Sequence, residues 1–345
     1  MKKAILYQKF SDGKLRCDAC FHKCLIVEGK TGICGVRKNI KGELYLLVYG
    51  KAAAFNIDPV EKKPLFHFYP GSEVFSFGTF GCNFACDFCQ NWDISQEPKN
   101  RSRGGGLPIE DNYWGESLPP SKIIEFCQDK NISQIAYTYN EPTIWEEYAE
   151  ETMKLAKKTG MKNIWVSNGY MSERTLEFIS PYLDAINVDL KSFSEEFYKE
   201  IVKAKLEPVK ENIKNIWQKG IWEEVTTLVI PGLNDSSQEL SKIAEFLVNI
   251  SSDLPWHLSA FYPNYKMRNK MPTSQEILMK AYEIGKTAGL KYVYTGNIPN
   301  VSLESTYCPK CNELLIKRQG IEMIENNLKG SHCPKCYEKI AGRWG

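Results

Sequence analysis

Between residues 73 and 295 the chain alternates short apolar runs with amphipathic stretches, and this alternation restricts the fold more than any other feature. Strands are expected at 73–78, 134–139, 163–167, 185–190, 224–230, 256–260 and 292–295. Helices are expected at 120–130 (entered through Pro-Pro-Ser), 143–158 (ended by Gly160), 172–179, twice before Lys219, then at 236–250 and 274–288. Strand followed by helix, repeated, builds parallel strands joined by right-handed crossovers. Six or seven such strands predict an α/β fold, an open or partial barrel. The Gly-, Arg- and Asn-rich stretch 95–118 is expected to be a long loop covering the site.

Eleven of the twelve cysteines fall into three groups, at 17–34, 82–89 and 308–336. Gaps of two or three residues, in a chain whose first ten residues carry no apolar leader, argue for metals over disulfides and for a reducing cytoplasm. Cys127, within an apolar run, reads as a buried helix residue behaving as a small hydrophobe. Cys82, Cys86 and Cys89 follow a C-x3-C-x2-C spacing with Phe88 before the third. Three thiolates on one loop can hold three irons of a [4Fe–4S] cluster and leave the fourth open to a small molecule, where ferredoxin clusters use four. A three-ligand zinc knuckle is the plainer alternative, although structural zinc normally takes four protein ligands.

Cys308, Cys311, Cys333 and Cys336 form two C-x2-C knuckles around a potential hairpin, the pattern of a zinc ribbon. Cys17, Cys20, Cys24 and Cys34 also make four thiolates, which zinc would suit and an auxiliary iron–sulfur cluster would suit as well; His22 lies among them. These groups divide the chain into a small four-cysteine segment at 1–70, a core at 71–298 and a ribbon at 299–345. Net charge is +2, so no global field points to nucleic acid or membrane, and no apolar run reaches the roughly 18–20 residues of a membrane span.

In a barrel of this kind chemistry gathers at the C-terminal ends of the strands. The polar residues fall there: Asn140-Glu141-Pro142, Ser167-Asn168-Gly169, Asp189-Leu190-Lys191, Pro231-Gly232-Leu233-Asn234-Asp235 and His257. Each also has an ordinary reading. Asn140, Ser167 and Asn168 suit turns after strands. Asp189 and Lys191 suit a rim ion pair. His257 suits a core histidine satisfied by a neighbour.

Together with the cysteine loop, these segments resemble radical S-adenosylmethionine (SAM) enzymes of the glycyl-radical-activating branch, the pyruvate formate-lyase activase relatives. Nearly end to end, through Cys17-x2-Cys20-Phe-His-Lys-Cys24, Gly32-x-Cys34-Gly-Val-Arg and the terminal Cys-Pro-Lys-Cys pair, the chain resembles the AmmeMemoRadiSam system radical SAM enzymes. These are named for genomic company with Memo-like and AMMECR-like proteins. The resemblance implies a partial (β/α)6-type TIM barrel radical SAM core between the N-terminal four-cysteine domain and the C-terminal zinc ribbon. It implies a [4Fe–4S] cluster on Cys82, Cys86 and Cys89, with SAM chelating the open iron. Phe88 would pack near the adenine. Asn140 and Glu141 would contact the SAM amino group, although Tyr139-Asn140 stands where the family has two glycines. Ser167, Asn168, Asp189 and Lys191 would line the methionine part, and His257 the ribose side.

The implied reaction is reductive cleavage of SAM to a 5′-deoxyadenosyl radical, with an electron donor such as ferredoxin or flavodoxin. The first substrate expectation is a protein, attacked at a backbone glycine or a side chain. The alternatives are a small metabolite or an RNA base, or a non-catalytic iron–sulfur and zinc scaffold for Memo-like partners. Intact SAM-site motifs count against the scaffold.

Overall fold

The structure, a computed structural model, describes residues 1–96, 99, 115–298 and 301–345. The expected covering loop at 95–118 lies for the most part outside the described residues. Its exit, Glu116–Ser117, pairs antiparallel with Lys51–Ala52.

One eight-stranded sheet organises the molecule. Numbered within it, the strands are β1 (Ala54–Pro59), β2 (Glu73–Gly78), β3 (Gln134–Tyr137), β4 (Lys162–Ser167), β5 (Ala185–Asp189), β6 (Trp222–Val229), β7 (Trp256–Ala260) and β8 (Val293–Gly296). Spatial order equals chain order from β1 to β8. Every link from β2 to β8 is parallel, and β1 runs antiparallel to β2 with Ala54 opposite Gly78. Because each crossover advances one strand in the same direction, the order never reverses and the sheet curls. Among the described residues β8 does not pair with β1, so the barrel stays partial.

The parallel strands are buried on both faces, which is why they read as continuous apolar runs. The helices are α1 (Pro120–Asp129), α2 (Glu146–Lys158), α3 (Glu173–Ile179), α4 (Glu207–Gln218), α5 (Ser237–Ile250) and α6 (Gln275–Ala288). Ser172, Ser236 and Ser274 cap α3, α5 and α6 through their hydroxyls, which accept from the N–H three residues on. Strand β3 ends at Tyr137, two residues before the expected end, because Tyr139 turns the chain with φ +68°. Strand β1, with no alternating pattern in Ala-Phe-Asn-Ile-Asp-Pro, lies before the expected boundary at residue 70 and yet belongs to this sheet.

Upstream, two small three-stranded antiparallel sheets form. One joins Lys2–Lys3, Glu43–Leu46 and Arg37–Ile40; the other joins Tyr7–Lys9, Leu15–Cys17 and Leu25–Ile26. Downstream, Leu314–Gln319 and Glu322–Asn326 make the expected hairpin, with Thr306–Tyr307 on its edge. Arg318 of this hairpin is wholly buried against the barrel, donating to Thr306 Oγ1 (2.8 Å) and to the Phe66 carbonyl (2.6 Å). Among the described residues no helix is long and apolar enough to cross a membrane.

Candidate active site at the carboxyl rim of the sheet

The cysteine loop leaves the end of β2 and is pinned by its backbone. Ala85 N–H donates to the Val202 carbonyl (3.0 Å) and Asp87 N–H to the Ile201 carbonyl (3.2 Å), on a π-helical turn at Tyr198–Val202. Gly81 has φ +87°, and a Cβ there would meet the Cys34 carbonyl at 2.5 Å, so the loop presses directly on the N-terminal segment.

Asn140 braces the entry to this loop. Its Oδ1 accepts from Thr79 N–H (3.1 Å) and Trp145 Nε1–H (3.2 Å), and its Nδ2 donates to Thr79 Oγ1 (3.0 Å) and the Gly81 carbonyl (2.8 Å). Glu141 organises the next turn. Its carboxylate accepts from Thr143 N–H (3.1 Å), Thr143 Oγ1 (2.5 Å), Ser167 Oγ (2.8 Å) and Asn168 N–H (2.7 Å). Three of these donors reach Oε1 and one reaches Oε2, so Oε2 keeps room for a further donor. Asn140 has its hydrogen-bonding capacity taken up by the protein and acts as a positioning group. Asn168 Nδ2 donates to Asn83 Oδ1 (2.7 Å), so the chain of contacts runs from Glu141 to the residue beside Cys82. Tyr139 adopts the left-handed backbone that glycine favours, with φ +68°. Its hydroxyl donates to Asp58 Oδ2 (3.1 Å) and Lys63 lies over its ring.

Two cations face the cysteines. Lys191 pairs with Asp189 (3.0 Å) and sits 5.6 Å above the Phe88 ring. Lys99 is buried and donates to the Phe84 carbonyl and to Gln96 Oε1 (3.2 Å). Burial pushes the Cys82 thiol up to about 11 and Cys86 higher still, while Lys99 and Lys191 oppose the shift. Thiols this buried ionise only with positive charge beside them. A bound metal centre supplies that charge, so the donor set fits a metal cluster.

Cys82, Cys86, Cys89, Phe88, Asn140, Glu141, Ser167, Asn168, Asp189 and Lys191 all line one cavity of about 450 Å³. His257, expected on the ribose side, does not line it. It is buried on β7, its Nε2 bonded to Glu224 Oε2 (2.6 Å), its ring stacked on Tyr294 at 5.3 Å. This is the satisfied core histidine of the alternative reading, and it borders a second cavity of about 740 Å³. The two cavities share Lys62, Thr226, Ser259 and Asn297. Sequence reasoning missed Asn83 and Lys99. Asn83 carried a signal, since it lies inside the cysteine motif; Lys99 carried none.

The flanking groups differ in geometry. The sulfurs of Cys308, Cys311, Cys333 and Cys336 all lie within 4.8 Å of one another, with 308–336 and 311–333 at 3.6 Å. Thiolates about 2.3 Å from one tetrahedral ion stand about 3.8 Å apart. The terminal group is therefore a site for one metal ion. Cys17, Cys20, Cys24 and Cys34 instead surround a small cavity.

The family model of the Radical SAM superfamily matches residues 77–247. An uncharacterized protein of Methanocaldococcus jannaschii is 43% identical over 319 residues, covering 92% of each chain. The pyruvate formate-lyase-activating enzyme of Clostridium pasteurianum is 23% identical over 51% of this chain and 72% of its own. The (2S)-3-sulfopropanediol dehydratase activating enzyme of Klebsiella oxytoca is 21% identical over 39% of this chain and 45% of its own.

Proposed function

The chain belongs to the Radical SAM superfamily and is an enzyme related to the activating enzymes, and on that premise we propose that it cleaves SAM reductively and abstracts a hydrogen atom from a protein substrate. Cys82, Cys86 and Cys89 would hold the [4Fe–4S] cluster, leaving one iron for the amino and carboxylate groups of SAM. When bound and reduced by one electron from a ferredoxin or flavodoxin, that pair supplies the 5′-deoxyadenosyl radical.

The observation that carries this reading is the meeting of the three thiols with Phe88, Asp189, Lys191, Ser167 and Asn168 on one cavity. Lys99 and Lys191 place positive charge beside the thiolates and stabilise their ionised form. Phe88 offers an apolar ring for the adenine. Asp189 and Lys191 present opposite charges suited to the zwitterionic methionine end. Asn140 and Glu141 hold the cysteine loop and the Ser167-Asn168 turn in register, so their role is orientation.

The substrate would enter through the larger cavity. The activating-enzyme relatives support a protein substrate. Memo-like and AMMECR-like proteins are the first partners to supply. The terminal four-cysteine site would hold zinc and staple the ribbon.

The test is 5′-deoxyadenosine formation by anaerobically reconstituted protein with SAM and a strong reductant, beside Cys82→Ala. Product that depends on Cys82 is expected. Cluster-loaded, SAM-binding protein that forms none, with or without the partners, would refute the catalytic reading and leave the scaffold.

A further inference from the structure

We propose that Lys62 and Lys63 form a subsite for a carboxylate group of the substrate, where the two cavities meet. Lys62 lines both cavities, and Lys63 lines the one that holds Cys82, Cys86 and Cys89. Both ammonium groups share a single acid. Lys62 Nζ donates to Asp58 Oδ1 (2.8 Å) and Lys63 Nζ to Asp58 Oδ2 (2.6 Å). Asp58 also accepts from Asn56 Nδ2 (3.1 Å, to Oδ1) and from the Tyr139 hydroxyl (3.1 Å, to Oδ2), so each of its oxygens takes two donors and the carboxylate is full. An ammonium carries three N–H donors, and among the described residues neither lysine has a second acceptor. Two cations on one anion leave one positive charge over. Lys63 and Asp58 are each only 3% exposed, whereas Lys62 is 47% exposed. The Lys63 ammonium also stands 5.3 Å from the ring of Tyr139, another residue of the cysteine-lined cavity. A buried charge is costly unless it is matched, and a substrate carboxylate supplies the match.

The other charged groups of the two cavities have partners of their own. Asp189 pairs with Lys191 (3.0 Å), Glu61 with Arg318 (3.4 Å) and His257 with Glu224 (2.6 Å). Glu141 accepts from Thr143, Ser167 and Asn168, and Glu304 accepts from Gly320 N–H (2.8 Å). None of these acids reaches Lys62 or Lys63. Of the residues common to both cavities, Lys62, Thr226, Ser259 and Asn297, none is acidic. Ser259 Oγ accepts from Asn297 Nδ2 (2.8 Å) and keeps its own O–H to donate. The junction thus offers a cation and a hydroxyl without a competing acid, the donor set that a carboxylate takes. The lysines act as binding residues that orient the substrate beside the cysteine-lined cavity.

The proposal rests on the larger cavity being the way in for the substrate, and its test does not use SAM cleavage, so the two readings fail separately. Full-length, cluster-loaded protein is saturated with SAM without reductant, which fills the place of the methionine carboxylate. It is then titrated calorimetrically at low salt with butyrate, a free acid, and with acetyl-glutamate amide, a glutamate side chain as a protein presents it. Butyramide and acetyl-glutamine amide are the neutral twins. At least one acid should bind about tenfold or more tightly than its twin. Lys62→Met should remove most of that preference, and Lys62→Arg should keep it. Tighter binding of acetyl-glutamate amide than of butyrate assigns the acid to a protein side chain, and the reverse assigns it to a small acid. Equal binding of acids and twins, no binding of either acid, or a preference that survives Lys62→Met together with Lys63→Met would overturn the proposal. Should the double variant fail to fold, the half-exposed Lys62→Met decides alone: an undiminished preference there overturns it.

Discussion

Replacing Arg37 by methionine tests how the N-terminal segment is fastened to the catalytic rim. Arg37 is 1% exposed. Its Nε donates to the Ile144 carbonyl (2.8 Å), Nη1 to Glu147 Oε1 (3.0 Å), and Nη2 to Glu147 Oε2 (2.6 Å) and Glu146 Oε1 (3.2 Å). Both carboxylates are buried at the start of α2, one turn beyond the Glu141 loop. Arg37→Met would leave them without their shared cation, a change that costs about 3–5 kcal/mol. At about 2 °C per kcal/mol for a chain of this size, Tm should fall by about 6–10 °C. Calorimetry under anaerobic conditions reads this, with Lys157→Met as control, since its surface pair with Asp184 should cost less than about 1 kcal/mol. Burial raises the Glu146 pKa and Arg37 opposes it. Without Arg37 that carboxyl binds its proton more readily still. The native state then holds more protons than the unfolded chain, so stability falls as pH rises above the ordinary carboxylate range. Glu146 already holds its proton to about pH 8 in the native protein, so the Arg37→Met deficit should be similar at pH 5.5 and pH 7 and grow as pH rises above 8. Adding Glu147→Gln should return part of the loss. A shift under about 2 °C, or no recovery in the double variant, would refute the argument.

Asn140→Leu removes the partners of Thr79 N–H, the Gly81 carbonyl and Trp145 Nε1–H, at about 1–3 kcal/mol for each buried group left unpaired. Iron content and 5′-deoxyadenosine formation should both drop, and Asn140→Asp, which keeps the two acceptor contacts, should lose less. Tyr139 pays about 1–2 kcal/mol for its left-handed backbone. Tyr139→Gly should thus change stability little despite the lost ring contacts, whereas the β-branched Tyr139→Val should be clearly destabilised in urea titrations. His67 is buried, with Nδ1–H donated to the Ala341 carbonyl (2.6 Å) and Nε2 bonded to the Tyr294 hydroxyl (2.5 Å). Desolvation pushes it down from 6.5 to about 4. Its contribution is complete above pH 6.5 and lost as pH falls to about 4, roughly 3 kcal/mol at 1.36 per pH unit, which unfolding midpoints across that range would measure. Cys308→Ser should release the terminal metal and expose Leu314–Gln319 to hydrogen exchange, with the barrel strands still protected.

Much of the core was legible because its determinants are local. Parallel strands buried on both faces must be continuous apolar runs, and the returning helices carry serine caps. Cys82, Cys86 and Cys89 sit within eight residues of one another, so their spacing alone brings the thiols onto one loop. Residues at the ends of successive strands share a rim for the same reason, which is why Asn140, Ser167, Asp189 and Lys191 reach one cavity. What depends on the path of the whole chain was not legible. His257 lies at a strand position that could face either cavity, and only its pairing with Glu224, 33 residues away, settles which. Strand β1 has no periodic pattern and is recruited by the open edge of β2. Arg37 finds its carboxylates across 110 residues. The sequence by itself determined the alternating architecture, the cysteine loop and the common rim, since each follows from periodicity or short spacing. The tertiary structure alone decided which side chains satisfy one another, and which four-cysteine group closes on a single ion, because burial and hydrogen-bond partners are set by contacts between distant segments.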